Sequence, residues 1–187
     1  MKLTAHIAAT VMLGASLCGA AGSTAIGDRA PDFSRPDLAG KPVRLADYHG
    51  KLVLLNFWAS WCGPCLEEMP KFSGWQREYG AQGLQVIGVS MDDDSAAARR
   101  LIARHPTTYP ILLGDAALGE SFGGVLGLPL SYLIDPQGRI VARHQGNGGL
   151  AKMEAKIKAL LAQRSKSVGG DLTLTGSPQA ASSHDLH

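Results

Sequence analysis

Cys62 and Cys65 are the residues of this chain best placed to do chemistry. They lie in Trp61-Cys62-Gly63-Pro64-Cys65, between an apolar run over 52–58 and a stretch of helical patterning over 66–79. Two cysteines at that spacing on a strand-to-helix turn can close into a disulfide and open again. The thiolate is the species that attacks a disulfide, and a helix N-terminus favours it through its free N–H groups and partial positive charge. Cys62 falls at that first turn and is the expected attacking thiol. Cys65, three residues on and turned toward the domain, is the expected resolving thiol. Pro64 suits the first helical turn, where a missing N–H costs little. Gly63 keeps the approach to Cys62 open. Pro70 has no N–H for the Leu66 carbonyl, so a kink is expected there.

A C-x-x-C pair can instead be half of a zinc site, but such a site wants four ligands. The chain has three cysteines, one of them Cys18 in the leader, and His49, His105 and His144 lack ligand spacing. No metal is expected. A static disulfide is the other alternative, and a bridge closing so short a loop removes little chain entropy.

The longer string Asn56-Phe57-Trp58-Ala59-Ser60-Trp61-Cys62-Gly63-Pro64-Cys65, with Glu68-Met69-Pro70 after it, resembles the TlpA/ResA branch of extracytoplasmic thiol:disulfide oxidoreductases in the thioredoxin superfamily. The resemblance spans about Ile26 to Gln163. Gly27-Asp28-Arg29-Ala30-Pro31-Asp32-Phe33 matches the branch's opening, and Asp92 to Asp115 its extra helix and strand. Gly127-Leu128-Pro129 matches the loop whose proline is cis and packs beside the cysteines. The resemblance implies that Leu128 and Pro129, with Trp61, Gly63 and Pro64, form the surface that receives substrate. It also implies an acid near the thiols at Glu68. Leu130 departs from the usual Thr after the proline. Asn56 stands where thioredoxins proper carry a buried Asp that assists proton transfer from the resolving thiol, so Glu68 is the candidate for that work. The alternative for Glu68 is a solvated helix charge.

The elements that position these residues follow in order. The 187 residues, 45% hydrophobic, suit one domain with tails over 26–163. A net charge of +2 with interspersed signs implies neither nucleic acid nor a basic membrane-binding face. Residues 1–25 read as a secretory signal: Lys2, an apolar segment from Ile7 to Cys18, then small residues. An uncleaved membrane anchor and a lipidated Cys18 remain open beside it. All three put the domain outside the cytoplasm, in the periplasm or its equivalent. With a cleaved signal only the Cys62/Cys65 pair remains in the mature part, which excludes a fold held by structural disulfides.

Residues 30–48 read as an N-terminal β-hairpin against the sheet edge. The run over 51–58 reads as a parallel strand covered on both faces. The helix after it is expected to bury Leu66, Met69, Phe72 and Trp75, and Trp61 to be exposed beside Cys62. A second strand is expected over 84–90. Asp92-Asp93-Asp94-Ser95 offers caps for a helix over 96–105. A strand over 109–113, a short helix over 115–122, strands over 130–135 and 139–144, and a helix over 150–163 complete the domain. Residues 164–187 lose periodicity and read as a disordered tail.

The expected fold is thus α/β and thioredoxin-like: a mixed central sheet flanked by helices, with an N-terminal β-hairpin and a central α-β insertion. The expected activity is extracytoplasmic thiol:disulfide exchange, run as a reductase, with no cofactor beyond the Cys62–Cys65 disulfide. The resemblance implies re-reduction by a membrane electron donor of the DsbD/CcdA kind, and substrates such as apocytochrome c or other envelope proteins. A disulfide-donating oxidase is the nearest alternative. A peroxiredoxin-like peroxidase wants a Thr or Ser three residues before its cysteine, whereas Ser60 lies two before Cys62. A copper-delivery module wants a wider cysteine spacing and a later histidine. The absence of a dedicated dimerisation segment points to a monomer.

Overall fold

Leu52 to Trp58 is buried at every position, and this strand is the middle of the molecule. The computed structural model describes residues 24–170, with side-chain surroundings to residue 166; the expected leader and most of the expected tail lie outside the described residues. Strands β1 (Ser34–Pro36) and β2 (Pro42–Arg44) form a separate antiparallel hairpin. The five-stranded sheet contains β3 (Leu52–Trp58), β4 (Leu84–Ser90), β5 (Ile111–Leu113), β6 (Leu130–Ile134) and β7 (Ile140–Gln145), in the order β5-β4-β3-β6-β7. β3 pairs parallel with β4 and antiparallel with β6, so the run, apolar but for Asn56, sits between one neighbour of each sense. The helices are α1 (Gly63–Tyr79), α2 (Ser95–Arg104), α3 (Ala116–Ser121) and α4 (Leu150–Gly170).

Two apolar layers cover the two faces of the sheet. One gathers Leu54, Trp58 and Val86 with Phe72 and Trp75 of α1, Leu101 of α2 and Ile157 of α4. The other gathers Leu55, Phe57 and Val89 with Phe122, Tyr132 and Leu118, and with Phe33 and Val43 from the N-terminal segment. This alternation along β3 and β4 follows from the two-residue period of a strand. Phe57, Phe122 and Tyr132 meet as tilted and edge-on rings at centroid separations of 5.3, 5.4 and 6.2 Å.

Several boundaries differ from the sequence reading. Helix α1 starts at Gly63, three residues before the apolar patterning at 66, with Cys62 as N-cap and Pro64 in its first turn as expected. It also continues through Pro70 without a break. Leu66 is only half-buried, while Cys65 and Glu68 turn inward. Strand β5 begins at Ile111, two residues after Tyr109, because only Ile111 to Leu113 align with Gly88 to Ser90. Helix α4 continues to Gly170, so 164–170 are helical rather than part of a disordered tail. Arg164 and Lys166 are good helix formers, and the loss of apolar period there did not end the helix.

Candidate active site

The redox pair sits where β3 turns into α1. Cys62 is the N-cap of α1, with extended backbone, and its Sγ accepts from the Cys65 backbone N–H at 3.3 Å. The two sulfurs are joined as a disulfide. Cys62 retains 6% exposure and Cys65 only 1%, so Cys62 is the more accessible of the pair. Trp61 beside it is 72% exposed, as expected. Gly63 is exposed and Pro64 half-buried in the first turn of α1.

The second wall comes from the other side of β3. Phe57 pairs with Leu130, which places Pro129 at the end of β3 where the chain departs for Cys62. The Leu128–Pro129 peptide is cis. Leu128 is half-buried and packs against the apolar layer that contains Cys62 and Cys65. The Pro129 carbonyl accepts from Gly146 N–H at 2.9 Å, while the Leu128 backbone makes no hydrogen bond among the described residues. All the sequence-derived site residues are therefore placed around the β3–α1 turn.

Glu68 is not a solvated helix charge. It is 5% exposed, one turn beyond Cys65 on the same helix, and its Oε2 has no hydrogen-bond partner among the described residues. Burial disfavours the charged carboxylate and pushes its pKa up to about 7, with Lys71 opposing weakly. A cavity of about 240 Å³ opens beside it, bounded by Pro64, Glu67, Lys71 and the 147–149 loop. Glu68 is thus a buried carboxyl that can take or give a proton near neutral pH, a property general acid–base groups need.

Sequence reasoning missed two further sets of residues. The Tyr109 hydroxyl and Trp58 Nε1 are buried without a partner among the described residues, and burial and the Glu68 charge raise the Tyr109 pKa. Both rings crowd the space over Gly88, where a Cβ would lie 3.2 Å from Trp58 Nε1 and 3.3 Å from Tyr109 Cε2. The second set is Asp92 with Ser60 and Ser90. Asp92 is not a helix cap; Asp94 caps α2 by accepting from Ala96 N–H at 2.8 Å. Asp92 instead accepts from Ser60 and Ser90. An acid directly after a strand that neighbours the redox strand was the available signal.

Comparison with known proteins agrees with this geometry. The model of the AhpC/TSA family matches residues 26–143. The thiol-disulfide oxidoreductase ResA of Bacillus thuringiensis subsp. konkukian is 31% identical over 156 residues, covering 77% of this chain and 90% of that protein. A thiol:disulfide interchange protein of the thioredoxin family from Chlorobium tepidum superposes with a TM-score of 0.66 at 27% identity, covering 74% of this chain and 99% of the other. The exposed lipoprotein thioredoxin Etrx1 of Streptococcus pneumoniae gives a TM-score of 0.62 at 30% identity, covering 70% and 100%. With the disulfide at the head of α1 and these likenesses along most of its length, the chain belongs to the AhpC/TSA family of thioredoxin-fold proteins, as a ResA-like thiol:disulfide oxidoreductase.

Proposed function

We propose that the protein is an extracytoplasmic reductase of protein disulfides. The observation that carries this reading is the asymmetric pair at the head of α1, Cys62 reachable and Cys65 enclosed. In the cycle, the Cys62 thiolate attacks a partner disulfide, forms a mixed disulfide and expels one partner thiolate. Cys65 loses its proton and attacks Cys62 Sγ, releasing the second partner thiol and leaving the Cys62–Cys65 disulfide. Two electrons pass to the partner. Glu68, one turn from Cys65, accepts the Cys65 proton. Trp61 and the Leu128–Pro129 loop receive the partner, whose extended backbone pairs with Leu128 in the manner of strand addition.

The Gly63-Pro64 dipeptide, shared with reducing thioredoxins, supports the reductive direction. A reductase in an oxidising compartment needs an electron supply, so the proposal includes a membrane donor of the DsbD/CcdA kind. The proposed substrates are envelope protein disulfides, apocytochrome c among them. Extracytoplasmic placement rests on the signal-like residues 1–25, and the lipoprotein likeness in Streptococcus pneumoniae supports it. The protein works as a monomer, with the disulfide as its sole redox group.

The test is the equilibrium potential of the Cys62–Cys65 pair in dithiothreitol buffers. A value near that of thioredoxin, about −270 mV, supports the reductase. A value near that of DsbA, about −120 mV, overturns the direction and makes the protein a disulfide donor.

A further inference from the structure

The turn between β3 and Cys62 is held by an acid from the neighbouring strand. Both Asp92 oxygens lie 3.0 Å from Ser60 N, and Oδ1 also accepts from Ser60 Oγ at 2.6 Å. Oδ2 accepts from Ser90 Oγ at 2.7 Å, and Asp92 N–H donates to that same Oγ at 3.2 Å. Met91 N–H donates to Trp58 O at 2.7 Å, so the end of β4 grips the chain on both sides of Ala59. Cys62 follows at once, its N–H donating to Ala59 O at 3.1 Å.

Asp92 is half-buried, and no Lys, Arg or His lies within ion-pairing distance of it among the described residues. Its charge is answered by hydrogen bonds alone. Ser60 and Cys62 are two residues apart, so their Cα atoms lie within about 7 Å of each other. The other charged groups of the surrounding elements are Glu67, Glu68, Lys71, Arg77 and Glu78 on α1, Asp93 and Asp94 after β4, and Arg99, Arg100 and Arg104 on α2. Asp94 is 3.5 Å from Arg100. The loop and strand facing from the far side, 123–134, carry no charged residue.

We infer that Asp92 is a positioning residue for the redox turn, which fixes Ser60 and holds a negative charge against ionisation of the Cys62 thiol. The inference rests on Cys62 being the attacking thiol. The helix N-terminus and Asp92 act on that sulfur with opposite signs: the first favours the thiolate, the second disfavours it. Disfavouring the thiolate destabilises the reduced form only at pH values where that form would ionise. Asp92 therefore makes the pair more reducing at high pH and leaves it unchanged at low pH.

The test uses Asp92→Asn, Ser60→Ala and the wild type, each reduced, with alkylation rates and equilibrium potentials followed from pH 5.5 to 9.5. Asp92→Asn keeps the shape and an acceptor for Ser60 N–H while removing the charge. It is expected to lower the Cys62 pKa by about half a unit, a threefold change in the thiolate ratio. At high pH the potential then rises by about 15 mV, at 29.6 mV per tenfold, and at pH 5.5 it does not move. Ser60→Ala keeps the charge and leaves the Cys62 pKa near the wild-type value. An unchanged pKa in Asp92→Asn, a potential shift equal at all pH values, or an equal shift in Ser60→Ala overturns the inference. Alkylation at Cys65 rather than Cys62 overturns instead the assignment of the attacking thiol. Should Asp92→Asn not fold, the wild type suffices: coupling is reciprocal, so the Asp92 carboxyl ¹³C resonance must shift as Cys62 titrates. A resonance that stays fixed refutes the coupling.

Discussion

The Asn56 side-chain amide donates to Ser131 Oγ at 3.0 Å, both groups being buried. The bond crosses from the strand that delivers Cys62 to the strand that follows Pro129, and so ties together the two walls of the site. Ser131→Ala leaves a buried amide donor unpaired and is expected to cost about 1–3 kcal/mol. Urea unfolding of Ser131→Ala, Asn56→Ala and the double variant measures the coupling. The double variant should be less destabilised than the sum of the two single changes.

Glu68 makes stability fall as pH rises. Its folded pKa of about 7 lies above its ordinary value of 4.5, so between those values the folded state holds a proton the unfolded chain has lost. This contribution is absent below about pH 4.5, grows more unfavourable toward pH 7, and is constant above. Full expression corresponds to roughly 3 kcal/mol. Glu68→Gln should flatten that segment of the stability profile, measured by denaturant midpoints from pH 4 to 8. It should also remove a neutral-pH step from resolution of the mixed disulfide by Cys65. A resolution profile identical to the wild type would show that Glu68 takes no part in that proton transfer.

A methyl group at Gly88 has no room. Its Cβ would stand 2.6 Å from Ile111 Cδ1 as well as crowding the Trp58 and Tyr109 rings. Gly88→Ala is expected to destabilise by about 1–3 kcal/mol through overpacking. Ile111→Val removes the nearest atom, so Gly88→Ala combined with Ile111→Val should recover part of the loss. Thermal melts of the four proteins provide the comparison.

Asp94 and Asp92 stand two residues apart and do separate work. Asp94→Ala removes the N-cap of α2 and should cost about 1 kcal/mol. The potential of the cysteine pair should stay at the wild-type value. Denaturant unfolding and redox titration of the same sample separate the two effects.

The sequence was most legible where one physical requirement governs a stretch. Leu52 to Trp58 had to be a strand covered on both faces, and Cys62-Gly63-Pro64-Cys65 had to open a helix. The strands expected over 130–135 and 139–144 meet at Asp135-Pro136-Gln137-Gly138, where Asp135 accepts from the Gln137 and Arg139 N–H groups. Legibility failed where partners are distant in the chain. Asp92 could be read only as a local cap, because its tie to Ser60 spans thirty-two positions. Glu68 could not be told from a solvated charge, since its burial depends on how α1 rotates over the sheet. The end of α4 was misplaced because Arg164 to Lys166 fit a helix without an apolar stripe.

The N-terminal segment has a consequence for how this protein can safely handle others. Its hairpin lies along β5, where Asp37 bridges Leu112 and Leu38 N–H donates to Ile111 O at 2.9 Å. At the opposite edge, Gly27 and Asp28 exchange hydrogen bonds with Ile140 at the start of β7, whose later residues include Arg143 and His144. An uncovered strand edge is a template on which an unfolded chain can add and aggregate. The protein substrates proposed above would present such chains. With β5 covered and β7 covered at its start and carrying Arg143 beyond, the sheet offers little bare edge on which another chain could add.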